Sequence, residues 1–262
     1  MNGVTTTPEA APAPHPETPS GRTIPAAGSV RGEWRRYFAF LRRPALPDKA
    51  APVSGATLAA TLRLYTLDLL LVGTLLSLAL MAVAAGFVPP DNALAELEFN
   101  ALTLFAIVVF APVLEEIGFR GWLSGRAGAV LPILLLGAGF TAVMLAGQSN
   151  AMLGAGLFLL AAMAALVLAI VLRKRPAWTW FQRFFPLFFW LSTVAFALVH
   201  IFNYTEGSFL ALLPLVLPQF IAGSIFGYAR VNYGLWSAML LHILHNGTLI
   251  GLVLLAINTA GG

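Results

Sequence analysis

Seven long apolar stretches restrict the folds that this sequence can adopt. A helix needs about 20 apolar residues to cross the hydrocarbon core of a bilayer, and these stretches approach or exceed that length. No segment alternates apolar and polar residues as a transmembrane β-strand does. Hydrophobic residues form 59% of the 262 residues and charged residues only 10%, which is typical of membrane proteins. The sequence therefore predicts an all-α, polytopic transmembrane helical bundle of about seven spans, at residues 58–85, 101–123, 129–146, 152–172, 187–202, 209–228 and 234–257.

Basic residues lie at alternate ends of these stretches. They occur in the N-terminal arm and after the second, fourth and sixth stretches, whereas the intervening loops contain no Lys or Arg. Because Lys and Arg are enriched in cytoplasmic loops, this pattern predicts a cytoplasmic N-terminus and a C-terminus on the opposite side. The net charge of +4 thus reflects topology, and we expect a lipid bilayer but no nucleic acid as a partner.

Two segments of different composition precede the first span. Residues 1–30 are rich in Pro, Ala, Thr and Ser and have few large apolar side chains, which predicts a disordered tail. Residues 31–57 mix arginines with aromatic rings, a pattern that suits a short helix in the cytoplasmic membrane interface and equally a solvated juxtamembrane helix. Residues 58–258 then form the transmembrane domain.

Two adjacent acids lie inside the second span, in the segment Glu115-Glu116-Ile117-Gly118-Phe119-Arg120. A charged side chain at the centre of a membrane helix costs roughly 3 kcal/mol on insertion scales, so such residues usually mark a site. Glu116 and Arg120 are four residues apart and can form an ion pair. Glu115 projects about 100° around the helix axis from Glu116, which leaves its carboxylate free for chemistry. The alternative is an ion pair that only supports folding.

Three of the four histidines also lie inside spans, namely His200, His242 and His245. Because the chain has no cysteine, any chemistry must use oxygen and imidazole groups. From the helical rise, Glu115 and His242 both lie ~12 Å from the cytoplasmic side, whereas His200 lies ~20 Å away and needs helix tilt or a later helix start to reach them. His242 and Asn246 share a helix face and could hold an oxyanion, or His242 and His245 could bind a metal with Glu115 and His200.

We expect structural roles, not catalytic ones, for Asp68 in the first span and for His245. We expect Asp68 to support packing or a neighbouring group, and His245 to be a packed, hydrogen-bonded histidine.

Three short motifs on three spans resemble those of the CAAX protease and bacteriocin-processing (CPBP, Abi) family of intramembrane proteases. They are Glu115-Glu116-x-x-x-Arg120, Phe196-x-x-x-His200 and His242-x-x-x-Asn246, within residues 105–254. The resemblance implies an intramembrane endopeptidase that hydrolyses a peptide bond near the cytoplasmic leaflet. Its cavity would be reached from the cytoplasm or laterally from the lipid, and its partner would be a peptide or protein substrate.

The same resemblance implies roles for individual residues. Glu115 and His200 would activate a water molecule, and His242 and Asn246 would stabilise the oxyanion. The other motif residues would support the site: Glu116, Arg120 and Phe196. We expect no cofactor. The family has also been described as metal-dependent, and Glu115, His200 and His242 would then bind a divalent metal such as zinc.

Other functions remain open from the sequence. The chain could be a non-catalytic membrane binding or immunity protein of the same fold, or a transporter in which buried Glu and His side chains relay protons. In eukaryotes the resemblance implies removal of a C-terminal tripeptide after a prenylated Cys, and in bacteria the maturation of secreted peptides or immunity to them. The excess of Arg over Lys and the abundance of Ala favour a prokaryotic cytoplasmic membrane.

Overall fold

The computed structural model describes residues 26–93 and 97–260, so the predicted disordered tail lies outside the described residues except for its last five positions. Seven of the described helices are long and apolar enough to cross a membrane, which confirms the prediction of a polytopic all-α bundle. Most predicted ends are within three residues of the observed ones, but the sixth span continues five residues further. The helices of more than ten residues are α1 (Val30–Arg42), α2 (Gly55–Ala84), α3 (Ala101–Ser124), α4 (Ala127–Ala146), α5 (Ala151–Val171), α6 (Phe185–Asn203), α7 (Phe209–Tyr233) and α8 (Leu235–Ala260), and a short helix, Thr179–Arg183, lies between α5 and α6.

Helix α7 lies at the centre of the bundle and packs against α2, α6 and α8. Its residues 222–229 are all buried, so this stretch contacts neighbours on every side. Gly227 permits the close approach of α6, because a Cβ atom there would lie 2.9 Å from the ring of Phe189. Pro214 lies in a 3₁₀ turn, Leu213–Val216, and Pro218 opens the regular helix after it. These irregularities occur where the two prolines predict a break.

Helix α3, which carries the two adjacent acids, contains a wide π-helical turn at Ala106–Phe110. The turn is explained by Pro112, which has no N–H to donate to the preceding turn. In it, the N–H of Ala111 bonds to the carbonyl of Ala106, which lies five residues back. The N–H of residue 111 is therefore not available to the carbonyl of Ile107, and Pro112 has no N–H to replace it.

Helix α1 is attached to the bundle by buried hydrogen bonds. Its buried face carries Glu33 and Tyr37, one helical turn apart, whereas several of its arginines are exposed. The Glu33 carboxylate accepts hydrogen bonds from the hydroxyls of Tyr228 and Tyr233 on α7. Burial raises the pKa of Tyr37 to about 12, and its hydroxyl forms a hydrogen bond with Ser224 over 2.6 Å. One face of the predicted interfacial helix thus packs on protein, and its position in the membrane interface stays a prediction.

Helices α4 and α5 form a hairpin whose two arms pack mainly against each other. Gly139 allows this contact, since a Cβ atom there would lie 2.7 Å from the Cβ of Ala161. The hairpin joins the rest of the bundle through the 3₁₀ turn that ends α3, Gly121–Ser124. The candidate site therefore depends on α3, α6, α7 and α8, with α2 behind it.

Candidate active site

The carboxylate of Glu115 faces two imidazole rings from two other helices. Its Oε2 atom lies 3.8 Å from Nε2 of His242 on α8 and 4.0 Å from Nε2 of His200 on α6. This oxygen is buried and has no hydrogen-bond partner among the described residues. Three side chains that are distant in the sequence thus converge, although the helical rise alone placed His200 deeper than the other two.

Hydrogen bonds on the far side of each ring fix the direction in which the two imidazoles point. Nδ1 of His200 donates to the carbonyl of Phe196 over 2.7 Å, one turn earlier on α6. Nδ1 of His242 donates to Oε1 of Glu116 over 3.0 Å, since a carboxylate can only accept. Both rings therefore present Nε2 to Glu115. The ring of Phe226 stacks on His242 with centroids 4.8 Å apart and holds its plane.

Glu116 forms the ion pair that its spacing from Arg120 predicts. The two side chains are fully buried and meet at 2.6 Å. The Arg120 guanidinium also lies 3.8 Å from the ring centroid of Phe196 and donates to the carbonyl of Gly223 over 3.3 Å. A Cβ atom at Gly223 would lie 2.9 Å from the guanidinium, so glycine is needed at that position of α7. The pair anchors α3 to α6, α7 and, through His242, α8.

Asn246 contacts the irregular part of α3. Its Nδ2 atom donates to the carbonyl of Ile107 over 2.8 Å, which is the carbonyl that the π-helical turn leaves without a main-chain donor. One N–H of the carboxamide is thereby used, and the second remains for another acceptor. The sequence placed Asn246 and His242 on one face of a helix but gave no indication of this bond.

A cavity of about 580 Å³ lies beside these residues. Its wall follows one face of α8 from His242 to Ile257, which is roughly 22 Å along the helix axis. Glu115 reaches it, since 31% of its side chain is exposed. The polar lining is concentrated around Glu115, and the far end is mostly apolar. Its lining residues include Glu115, His200, Gln219, His242, His245 and Asn246.

The cavity extends towards the ends of the helices whose connecting loops contain no Lys or Arg, where Asn92, Leu97 and Phe99 line it. At the opposite end of α3, Arg230 donates to the carbonyls of Arg120 and Gly121 over 3.0 and 3.1 Å and packs against the helix end. On the predicted orientation, this cavity lies on the non-cytoplasmic side of Glu115. Access from the cytoplasm and lateral access from the lipid both stay predictions.

The residues of the metal-dependent alternative have donor atoms of the right kind for zinc. Tetrahedral zinc with bonds of about 2.0–2.2 Å places its ligand atoms roughly 3.3–3.5 Å apart. The carboxylate oxygen of Glu115 lies further than this from both imidazole nitrogens, at 3.8 and 4.0 Å. Within residues 26–93 and 97–260, no three His, Cys, Asp or Glu side chains are grouped so that they could hold a metal ion. In this side-chain arrangement the Glu115 oxygen is therefore somewhat further from the two nitrogens than two ligands of one tetrahedral zinc ion would be.

Sequence reasoning did not anticipate the pairing of Asp68 with His245. The two side chains meet at 2.7 Å, and His245 lines the cavity. The two residues are 177 positions apart, in the first and last spans, so no local spacing could reveal the contact. The signal that was available is the cost of a carboxylate in the first span, which requires a partner somewhere in the bundle.

Comparison with known proteins agrees with the three motifs. No curated protein and no solved structure matches the chain. A family model described as type II CAAX prenyl endopeptidase Rce1-like matches residues 97–248, which is more than half of the chain and includes all three motifs. The chain belongs to the Rce1-like family of type II CAAX prenyl endopeptidases.

Proposed function

We propose that this protein is an intramembrane endopeptidase that hydrolyses a peptide bond in the cavity with Glu115 as the general base and without a metal ion. One observation carries the proposal. A buried carboxylate oxygen of Glu115 has no hydrogen-bond partner among the described residues and lies about one water molecule away from His200 and His242. Membership of an endopeptidase family supports the type of reaction.

In this mechanism a water molecule occupies the space between Glu115 and the two Nε2 atoms. Glu115 accepts one proton as the water oxygen attacks the carbonyl carbon of the substrate. Nε2 of His200 accepts a hydrogen bond from the second water proton, because Nδ1 of this ring already donates to Phe196. The attack gives a tetrahedral intermediate with a negative oxygen. When the C–N bond breaks, the proton on Glu115 passes to the leaving amine.

In the proposed mechanism, His242 and Asn246 stabilise the negative oxygen. The free N–H of the Asn246 carboxamide can donate a hydrogen bond to the negative oxygen, while its other N–H donates to the carbonyl of Ile107. His242 can donate from Nε2 only as the doubly protonated ring, because Nδ1–H is already bonded to Glu116. In that state the carboxylate of Glu116, which also pairs with Arg120, accepts the hydrogen bond from Nδ1–H of the ring.

Cleavage by the purified protein in nanodiscs tests the proposal. The probes are two quenched-fluorescence peptides of one sequence, one ending in an S-farnesyl Cys followed by three residues and the other unmodified. We expect Glu115→Gln and His200→Ala to lower the cleavage rate by about 10²–10⁴-fold while both variants remain folded. Glu206→Gln is the matched control, because Glu206 is an exposed acid between α6 and α7.

The outcomes distinguish a peptidase from a non-catalytic binding protein, both of which the sequence permits. If both site variants cleave at the wild-type rate, the proposal is wrong. If the wild-type protein binds the peptides but cleaves neither, a non-catalytic binding protein of the same fold is favoured. Faster cleavage of the farnesylated peptide would assign the substrate class named by the family, and equal rates would favour unmodified peptides.

A further inference from the structure

Asp68 and His245 form a second polar pair on the wall of the cavity. Asp68 is fully buried on α2, and its Oδ2 atom lies 2.7 Å from Nδ1 of His245 on α8. The carboxylate can only accept, so Nδ1 of the histidine carries the proton. The remaining ring nitrogen, Nε2, is then an acceptor, and the structure gives it no partner among residues 26–93 and 97–260.

His245 lies next to the proposed reaction centre. It is three residues after His242, and the ring of Phe226 contacts both histidines, stacking on His242 and meeting the edge of His245 with centroids 5.7 Å apart. His245 lines the same cavity as Glu115. Beyond it on α8 the wall becomes apolar, with Leu249 and Val253 on the following turns.

A purely structural role explains this pair poorly. With Nε2 unprotonated the imidazole is neutral, so the Asp68 carboxylate is buried without a counter-ion, and well-packed apolar side chains of similar size are often at least as stabilising. A carboxylate in a membrane span also carries a substantial insertion cost. The extended backbone of a peptide cleaved inside the membrane must find hydrogen-bond partners in the protein, away from water, and the Asp68–His245 pair can supply one.

We propose that Nε2 of His245 accepts a hydrogen bond from a backbone N–H of the bound peptide, and that Asp68 is the positioning residue that fixes the ring for this contact. The inference rests on the proposed peptidase function. His245 lies roughly 4.5 Å beyond His242 along α8, and an extended peptide advances about 3.3 Å per residue. The contacted N–H therefore belongs to a residue one or two positions from the scissile bond.

Kinetics of paired variants distinguish this role from a structural one. We expect His245→Leu to raise KM by about 3- to 10-fold, the effect of one lost hydrogen bond, and to leave kcat within about twofold. The double variant Asp68→Leu/His245→Leu replaces the whole pair with apolar side chains and leaves no unpaired acid, so it keeps the test valid if the single variant misfolds. It should show the same rise in KM. A double variant with the wild-type KM would show that the pair is structural and would overturn the proposal.

Peptides that lack one N–H test the contact directly. The farnesylated peptide is N-methylated in turn at the residue before the Cys, at the Cys, and at the second and third residues after it, which leaves the scissile amide unchanged, and one of these methyl groups should raise KM in the wild type. In His245→Leu that same methyl group should cause no further rise. If the methyl group raises KM equally in the wild type and in His245→Leu, the assignment is wrong. In Asp68→Asn the methyl group should raise KM less than it does in the wild type.

A binding measurement separates this inference from the proposed function. The Kd of the labelled farnesylated peptide is measured by fluorescence anisotropy in the Glu115→Gln background, with and without His245→Leu. A rise of about 3- to 10-fold supports the contact even if the wild-type protein cleaves no peptide. An unchanged Kd overturns the role of His245 and leaves the assignment of Glu115 intact.

Discussion

Nδ2 of Asn246 on α8 donates a hydrogen bond over 2.8 Å to the carbonyl of Ile107 in the π-helical turn of α3. The bond joins a residue of the third motif to a main-chain group that Pro112 leaves without a donor. The π-helical turn lies one to two turns before Glu115, and such turns occur frequently at functional sites. The bond therefore couples the rotation of Glu115 about the α3 axis to the position of the amide on α8.

The first prediction separates the structural and chemical roles of Asn246. We expect Asn246→Ala to lower kcat by about 10²–10³-fold and to destabilise the protein by about 1–3 kcal/mol, because the Ile107 carbonyl loses its donor. Adding Pro112→Ala supplies an N–H that can bond to this carbonyl. The double variant should therefore recover thermal stability but not kcat. Recovery of both in the double variant would contradict the oxyanion role of Asn246.

The second prediction concerns the anchor formed by Arg120. Arg120→Leu leaves the Glu116 carboxylate buried without its cation, and we expect a loss of stability of about 3–5 kcal/mol. Thermal unfolding of the detergent-solubilised protein measures the change. Gly223→Ala should also destabilise, since its Cβ would lie 2.9 Å from the guanidinium.

Gly118→Ala is the matched control for the glycine substitution, because Gly118 also lies in a helix but has open space around its Cβ position. It should leave the unfolding temperature nearly unchanged. If Gly223→Ala is no more destabilising than Gly118→Ala, the close packing of Arg120 against α7 is not needed for stability.

The sequence predicts the spans and the pairing of Glu116 with Arg120 well because both depend on local rules. Hydropathy over about 20 residues locates a span, and a spacing of four residues places two side chains on one helix face. The convergence of Glu115, His200 and His242 depends on how three helices pack, so the motifs could indicate it only through the family resemblance. The rise per residue placed His200 too deep, because counting along one helix ignores where neighbouring helices begin and how they tilt.

Other features could not be predicted because they need contacts between distant segments. The pairing of Asp68 with His245 joins the first and last spans, and in the sequence each residue alone is explained by a packing or hydrogen-bonding role. The π-helical turn follows from Pro112, but a proline inside a span equally permits a simple kink. The contact of Asn246 with Ile107 becomes visible only when α3 and α8 are placed side by side.

The third prediction concerns metal dependence. Because the proposed mechanism activates water with Glu115 and uses no metal ion, we expect the purified protein to keep its cleavage rate after treatment with 1,10-phenanthroline and EDTA. Elemental analysis of the treated protein shows whether metal was removed. Loss of activity on chelation, with recovery on adding zinc, would favour the metal-dependent alternative for Glu115, His200 and His242.

The fourth prediction tests the side of the membrane from which the cavity is reached, and it uses the absence of cysteine from the chain. Single cysteines are introduced at Gln148 between α4 and α5, at Lys174 after α5 and at Leu97 at the cavity. The charge pattern places Gln148 outside and Lys174 in the cytoplasm. A membrane-impermeant maleimide added to intact cells should therefore label Gln148→Cys but not Lys174→Cys.

Leu97 lines the part of the cavity that lies near the loop without Lys or Arg, and its side chain is exposed. Leu97→Cys should be labelled from the same side as Gln148→Cys, and a bulky maleimide there should slow peptide cleavage by obstructing the cavity. Labelling of Leu97→Cys only after the membrane is opened, together with Lys174→Cys, would place the cavity on the cytoplasmic side. The cavity extends along α8 to Ile257, away from the end of α3 against which Arg230 packs, so the labelling pattern determines the side of the membrane from which a peptide reaches Glu115.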